Sequence, residues 1–397
     1  MAHSTFTKIR FYFFLRDVLW LALTAFGGPQ VHLALFIDLL VRRRGYIKEE
    51  EFLELNALCQ ILPGPSSSQT LVAIGYKIGG TYLAFLTLFV WIFPAITFMT
   101  MAAVLFSFFQ RNQISLEFMR FVPPIALGLV LASAIIITYK TVRTKTGLIL
   151  MLLAAVSAYY FRSAWVFPLT VIISGIATTY KFQKQPKQPH SPLKIRWKYF
   201  YLFIGFLVVS AIVGNLIKSK PILIFENFYR NGSLIFGGGQ VLTPVLFTEF
   251  VQQKQYLTTD EFLSGFAIAQ CLPGPVFAFV AFIGALSLRK LGVGGEILGG
   301  FLASAGIFLP GTFLIFFVIH FWNQIKTYRF VRASLEGILA ASAGLVVGNA
   351  GILLEPVLVA QKWLHISLII STFVAMQMRW FSPPVLILLA ILLGVIF

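Results

Sequence analysis

The six residues Phe26-Gly27-Gly28-Pro29-Gln30-Val31 return 210 positions later as Phe236-Gly237-Gly238-Gly239-Gln240-Val241. Gln60-Ile61-Leu62-Pro63-Gly64-Pro65 returns at the same offset as Gln270-Cys271-Leu272-Pro273-Gly274-Pro275, so the chain is a duplicated unit. Gly and Pro break helices, and here both breaks of each half lie inside strongly apolar sequence. In a bilayer, backbone freed from a helix is tolerated only where protein or a water-filled cavity satisfies it. The breaks are therefore where function is expected.

The surrounding composition fixes the solvent. With 58% hydrophobic and 11% charged residues, the chain stands far from the roughly 25% charge of soluble domains. It reads as an integral membrane protein with no room for a sizeable soluble domain, and its N-terminus is expected to be retained. The net charge of +17 does not indicate nucleic acid, because most Lys and Arg residues sit in short loops between apolar segments. Cys59 aligns with Ala269 and Cys271 with Ile61, and neither belongs to a CxxC or metal-ligand pattern. No metal and no cofactor are expected.

The spacing of the breaks suggests short helices paired as re-entrant hairpins. Phe11 to Phe26 and Val31 to Val41 flank the first break, and both are shorter than the roughly 20 residues of a spanning helix. Glu51 to Leu62 and Ser66 to Lys77 flank the Pro63-Gly64-Pro65 tip. Longer runs follow at Tyr82 to Phe106, Phe118 to Tyr139, Gly147 to Phe161 and Ala164 to Tyr180. The plan repeats after Pro221, ending in long segments from Val293, Phe330, Trp363 and Pro384. Residues 1–180 form the first repeat, 181–197 a basic Pro-containing linker, 198–217 an extra apolar segment without counterpart, and 218–397 the second repeat.

Charge orients the halves. Arg42-Arg43-Arg44 and Lys48 load one loop, whereas its equivalent from Glu249 to Glu261 carries Lys254 among acidic residues, so equivalent loops face opposite sides. Four long helices plus the extra segment make five crossings, an odd number that inverts the second half. This topology puts Lys140, Arg143, Lys145, the linker, Lys326, Arg329, Arg332 and Arg379 in the cytoplasm. It leaves Arg111, Arg162, Lys218, Lys220, Arg289, Lys290 and Lys362 outside. The expected fold is an all-α integral membrane protein of two homologous halves in inverted topology. Each half has broken or re-entrant helices around its Gly-Gly-Pro and Pro-Gly-Pro tips, followed by long transmembrane helices.

Inverted repeats bring their broken helices together near the bilayer midplane, each second half-helix aiming its N-terminus at the junction. Unpaired N–H groups and about half a positive charge at such an N-terminus bind anions. The candidate site comprises Gly27, Gly28, Pro29, Gln30, Gln60, Pro63, Gly64, Pro65, Ser66, Ser67 and Ser68, with Gly237, Gly238, Gly239, Gln240, Gln270, Pro273, Gly274 and Pro275 from the second half. Ser66-Ser67-Ser68-Gln69-Thr70 offers hydroxyl and amide groups where the second half has Val276-Phe277-Ala278-Phe279, so polar ligation is asymmetric. Taken singly, Ser66 reads equally as an N-cap. The four equivalent glutamines either orient ligand oxygens or tie the hairpins together. His32, just past the first break, has a proton or ligand role as one reading and a packed core histidine as the other. Arg16 and Glu226 are equivalent across the repeat, where interfacial anchoring and a functional role are the two readings. Glu336 lies near Arg332, where an ion pair and a proton-binding group are the two readings.

Phe26-Gly27-Gly28-Pro29, then Leu58 to Ser66, then the second glycine-rich break and Pro273-Gly274-Pro275, resemble the chromate ion transporter family over nearly the whole chain, in its long two-domain form. Phe93-Pro94-Ala95 and Gly306-Ile307-Phe308-Leu309-Pro310 are similar to further family stretches. The resemblance implies a multi-pass bacterial inner-membrane carrier that exports chromate, with sulfate as the competing or related oxyanion. A dianion leaving a negative cytoplasm gains about 2.3 kcal/mol per charge per 100 mV, roughly 4 to 5 kcal/mol in all. No GxxxxGK[ST] nucleotide-binding loop is present in the sequence.

Three classes compete: a carrier working by alternating access, an anion channel, and a membrane-embedded oxyanion reductase. The reductase would need an electron carrier, for which there is no haem-type motif, cysteine cluster or Rossmann fingerprint. The protein is therefore read as a transporter and not an enzyme. Because one chain contains both halves, a monomer is the expected functional unit, and a homodimer is compatible with it. The bilayer is its other partner.

Overall fold

The computed structural model describes residues 2–26, 28–161, 166–184, 197–235, 239–322, 328–359 and 363–396. Among these the regular structure is helical, without strands. The first half opens with α1 (Ala2–Thr24), α2 (Pro29–Phe36), a π-helical segment Ile37–Arg43 and α3 (Glu49–Ile61). It continues with α4 (Ser66–Arg111), α5 (Val122–Thr141), α6 (Lys145–Phe161) and α7 (Val166–Thr178), and α8 (Lys198–Ile217) follows. The second half has α9 (Lys220–Leu234), α10 (Gly239–Leu246), a π segment Phe247–Gln253 and α11 (Thr259–Cys271). Then come α12 (Phe279–Ser287), α13 (Gly292–Val318), α14 (Arg329–Val359), α15 (Trp363–Gln377) and α16 (Pro383–Ile396).

The sequence offset of 210 positions is reproduced residue for residue in the ends of α1 and α9, in α2 and α10, in the two π segments, and in α3 and α11. The wide turns close with the same bonds: Arg44 N–H donates to Leu39 O at 3.0 Å as Lys254 N–H does to Glu249 O at 3.0 Å. Tyr46 and Tyr256 N–H likewise reach the carbonyls of Leu40 and Phe250 at 2.9 and 2.8 Å. The following helix starts differ in chemistry. Glu49, Glu50 and Glu51 place negative charge in the first turn of α3. In α11, Thr258 and Glu261 form a reciprocal capping box, with bonds of 2.9 and 3.2 Å.

Several expectations are corrected. The first segment is not short, since α1 has 23 residues and rises about 34 Å. Hydropathy marks the apolar run from Phe11, whereas the polar residues before it simply continue the helix. By length and composition four helices among the described residues suit a membrane span, Ser66–Arg111, Glu117–Tyr139, Arg289–Val318 and Arg329–Glu355. The helices α6, α7, α15 and α16 have 17, 13, 15 and 14 residues, less than the roughly 20 that cross a bilayer. The break in α4 does fall at Gly79 and Gly80, where φ turns to −146° and +70°.

The chain forms two compact units, and each draws on both halves of the sequence. The first contains Met1–Ala102, Lys194–Ser233 and Leu272–Phe321. Its core includes Phe203, Tyr229, Phe313 and Leu314, with the Tyr229 hydroxyl donating to Phe203 O at 3.0 Å. Here α12 and α13 touch backbone to backbone, because a Cβ on Gly284 would meet Gly299 O at 2.3 Å. The second unit contains Ala103–Leu193, Leu234–Cys271 and Trp322–Phe397. In it α14 packs along α6 and α7 through Gly337, Gly344 and Gly348. Such small-residue contacts let helices approach closely where apolar lipid gives no hydrophobic drive. Leu152, Val156, Ile172, Ile173 and Ile176 stay exposed on α6 and α7, an apolar surface suited to hydrocarbon rather than water.

Candidate functional site

The first unit gathers three of the four sequence breaks. Its first element is the gap between α1 and α2, where Gly28 has φ +81° and precedes Pro29 at the first helical position. Pro29 and Gln30 open α2. His32, completely buried, brings Nδ1 to 3.3 Å from the Ser67 hydroxyl. Its ring packs edge-on to Trp91, whose Nε1 donates to Ser68 Oγ at 2.9 Å. The other ring nitrogen of His32, Nε2, is buried without a partner among the described residues.

Helix α4 supplies the second element. Pro63, Gly64 and Pro65 are buried, and the Gln69 amide returns to accept the first-turn geometry by donating Nε2–H to Pro63 O at 2.6 Å. Pro65 O receives Gln69 N–H at 2.9 Å, so Pro65 is the cap and Ser66 the first helical residue. This corrects the reading of Ser66 as N-cap. The amides of Ser66, Ser67 and Ser68 consequently have no intrahelical acceptor. Ser67 and Ser68 hydroxyls are engaged with His32 and Trp91, whereas the half-buried Ser66 hydroxyl has no partner among the described residues.

The third element is the second Pro-Gly-Pro tip. Gly274 N–H donates to Ala25 O at 2.9 Å, and Val276 approaches Gly28, where a Cβ would lie 3.9 Å from its Cγ2. The two tips are seated reciprocally. A Cβ on Gly64 would lie 3.6 Å from Gly311 Cα in α13, and one on Gly274 would lie 3.2 Å from Ala95 Cβ in α4. Gly311 follows Pro310 as Ala95 follows Pro94, so each tip meets the proline-marked stretch of the other half.

The polar asymmetry read from sequence has a structural counterpart. After Pro275 the chain makes a 3-10 turn, Val276–Ala278, that runs directly into α12. Phe277 and Phe279 are buried there, and Phe277 packs against Phe308 with centroids 6.2 Å apart. The second half thus carries apolar residues at the positions that serines and Gln69 hold in the first half.

Other candidates sit elsewhere. Gly27, Gly237 and Gly238 lie outside the described residues, as do positions 185–196 of the linker. Gly239 and Gln240 open α10, and Gln270 lies near the end of α11, all in the second unit. Gln60 is exposed, and neither Gln60 nor Gln270 makes a side-chain hydrogen bond among the described residues. Glu336 belongs to the second unit and pairs with Lys181, Nζ to Oε1 2.7 Å, while accepting from the Thr144 hydroxyl. Lys181 lies on the 3-10 turn after α7. Arg16 lies over the Phe13 ring at 4.9 Å, and Glu226 bonds Arg230 at 3.1 Å. Trp91 and Gly311 carry no local sequence signal, being an indole and a glycine in long apolar runs, whereas Gln69 belongs to the polar run after the first Pro-Gly-Pro tip. Only the proline before Gly311 flagged its neighbourhood.

Long apolar helices, exposed apolar faces and a buried polar cluster at interrupted backbone define a multi-pass all-α membrane protein. The chain belongs to the chromate transporter family, whose model matches residues 13–179 and 222–395. It is 24% identical over 391 residues to the chromate transport protein of Cupriavidus metallidurans, covering 94% of this chain and 89% of that one. It is 25% identical over 342 residues to the chromate transport protein of Pseudomonas aeruginosa, covering 82% and 76%. An uncharacterized transporter of Methanocaldococcus jannaschii is 24% identical over 331 residues, covering 82% and 80%. No solved structure matches the chain.

Proposed function

We propose that this protein carries chromate out of the cytoplasm across a bacterial inner membrane, with sulfate as a competing dianion of the same shape and charge. The observation that carries this reading is the convergence of Gly28, His32, Ser67 and Gly274 within the first unit. The Ser66, Ser67 and Ser68 amides and the Ser66 hydroxyl start a long helix there, an arrangement whose donors and partial positive charge suit an oxyanion. Buried donors without partners are costly when empty and rewarding when filled. His32 supplies a titratable ring beside them, suited to holding a proton near the anion.

On this reading the halves are related by inversion and the breaks are broken membrane helices. The second break, at Gly237, Gly238, Gly239 and Gln240, completes the path near the midplane as the two repeats alternate their access. The names of the Cupriavidus and Pseudomonas relatives support chromate as the cargo. Export needs no nucleotide, since the membrane potential supplies about 2.3 kcal/mol per charge per 100 mV.

The deciding experiment is chromate uptake into inside-out vesicles containing the protein at imposed potentials, with and without excess sulfate. Accumulation driven by an interior-positive potential and blocked by sulfate is the expected result. No chromate movement at any potential would remove the cargo assignment, and chromate reduction by the purified protein would replace the carrier with an enzyme.

A further inference from the structure

The second unit contains a cavity of about 590 Å³ that is separate from the tips. Three of the four candidate membrane spans end on it: Gln110 beside the end of α4, Glu117 and Arg120 at the approach to α5, and Val357 near the end of α14. Since span ends lie where hydrocarbon gives way to water, the cavity sits at the level of lipid headgroups. Leu127, Leu263 and Leu353 give it an apolar wall, and its volume falls within the range of small-molecule sites.

The polar groups select the occupant. Ser264 lines the cavity, is only 3% exposed, and has no hydrogen-bond partner among the described residues. Glu261 is already held by Gln110 Nε2 at 2.8 Å and by Thr258 N–H at 2.9 Å. The exposed rim carries the carboxylates of Glu117 and Asp260 against the guanidinium of Arg120, with the His365 ring also on the wall. Excess negative charge repels a dianion, so this is not an oxyanion pocket. Carboxylates, an arginine and an unpaired hydroxyl above an apolar wall match a headgroup that carries both an N–H-bearing ammonium and a phosphodiester on acyl chains.

We propose that this cavity binds a zwitterionic phospholipid of the phosphatidylethanolamine class, Glu117 and Asp260 accepting from the ammonium, Arg120 meeting the phosphate and the acyl chains lying along the leucines. Quaternary choline cannot donate to the carboxylates, and an anionic headgroup meets their repulsion.

The test is native mass spectrometry of the full chain after exchange into detergent with equal amounts of dioleoyl phosphatidylethanolamine, phosphatidylcholine and phosphatidylglycerol. A parallel sample receives glycerophosphoethanolamine without chains. Retention of the ethanolamine lipid about tenfold above the other two is expected, in line with charge-assisted hydrogen bonds gained or lost. The E117Q/D260N and R120A variants, with unfolding midpoints checked in the same detergent, should each lose that preference, and S264A should weaken it. Equal retention of the three lipids, preference for phosphatidylglycerol, or wild-type preference in well-folded E117Q/D260N would overturn the proposal. Equally strong binding of the chain-free headgroup would overturn the lipid as its source.

Discussion

Gly274 N–H donates to the carbonyl of Ala25 at 2.9 Å, so the tip of the second half is bonded to the end of the first helix of the first half. A carbonyl past the end of a helix has no intrahelical donor, and an amide at a glycine bend with φ +98° has no helical acceptor. Each satisfies the other in a place where water is scarce. The two sequence repeats therefore fold into one another rather than side by side, and the predictions below test the contacts that result.

Gly311 and Gln69 should be energetically coupled. A Cβ on Gly311 would stand 2.4 Å from Gln69 Nε2, which is pinned to Pro63 O. G311A must push the amide off that carbonyl, losing about 1 kcal/mol of hydrogen bond and opposing the similar helical gain of Ala over Gly. Q69A removes both the bond and the clash. The double variant G311A/Q69A should be at least as stable as Q69A alone in detergent thermal unfolding, and strictly additive losses would contradict the contact.

Gly64 should tolerate no side chain. Its φ of +112° is strained for any L-residue, and a Cβ would lie 2.9 Å from Gln69 Nε2. G64V is expected to insert at near wild-type levels and to lose chromate transport at least tenfold by the vesicle assay, because the tip must shift against α13. Gly28 has open space around its Cβ position apart from Val276, so G28A should cost only the backbone strain, about 1–2 kcal/mol, and transport less severely than G64V.

His32 gives a prediction that separates packing from ligand contact. H32Q keeps bulk and hydrogen bonding to Ser67, and H32F keeps aromatic contact with Trp91 and Phe36. If the ring serves transport through its titration, both variants should unfold within a few degrees of wild type while losing chromate flux and its pH dependence. Wild-type flux and pH profile in H32Q would leave His32 as a core residue only.

Gly337 tests the second unit independently of the candidate site. Its Cβ would come within van der Waals exclusion of Ser174 O, a backbone atom that cannot rotate away. G337A should push α14 from α7 and cost about 1–3 kcal/mol, seen as a lowered unfolding midpoint. Stability equal to wild type would show that the two helices are further apart than described.

The Lys181 and Glu336 pair should behave as a partly buried ion pair. Their side chains are 13% and 27% exposed, so K181M leaves a poorly solvated carboxylate without its ammonium partner, while the Thr144 hydroxyl still donates to it. A loss of about 1–3 kcal/mol is expected, with K181M/E336Q recovering most of it. The double-mutant cycle in detergent checks this, and zero coupling would mean that the pair is already fully hydrated.

The sequence alone determined that this chain is a helical membrane protein, where its helices stop, and that its halves are copies. Composition sets the solvent, and Gly and Pro act on their own backbone, so Gly79-Gly80, the Pro-Gly-Pro tips and the matched ends of α1 and α9 could all be read locally. Helix lengths were less legible, because polar residues prolong α1 past its apolar run and α7 ends in a 3-10 turn two residues short of its run. The pairing of Glu336 with Lys181, the seating of Gly64 on Gly311 and of Gly274 on Ala95, and the binding of Ser67 and Ser68 by His32 and Trp91 were decided only by the tertiary structure. Each joins residues far apart in sequence, and which of many equally apolar helices meet is fixed by side-chain shape and by the need to satisfy every buried polar group, neither of which is written in any one segment.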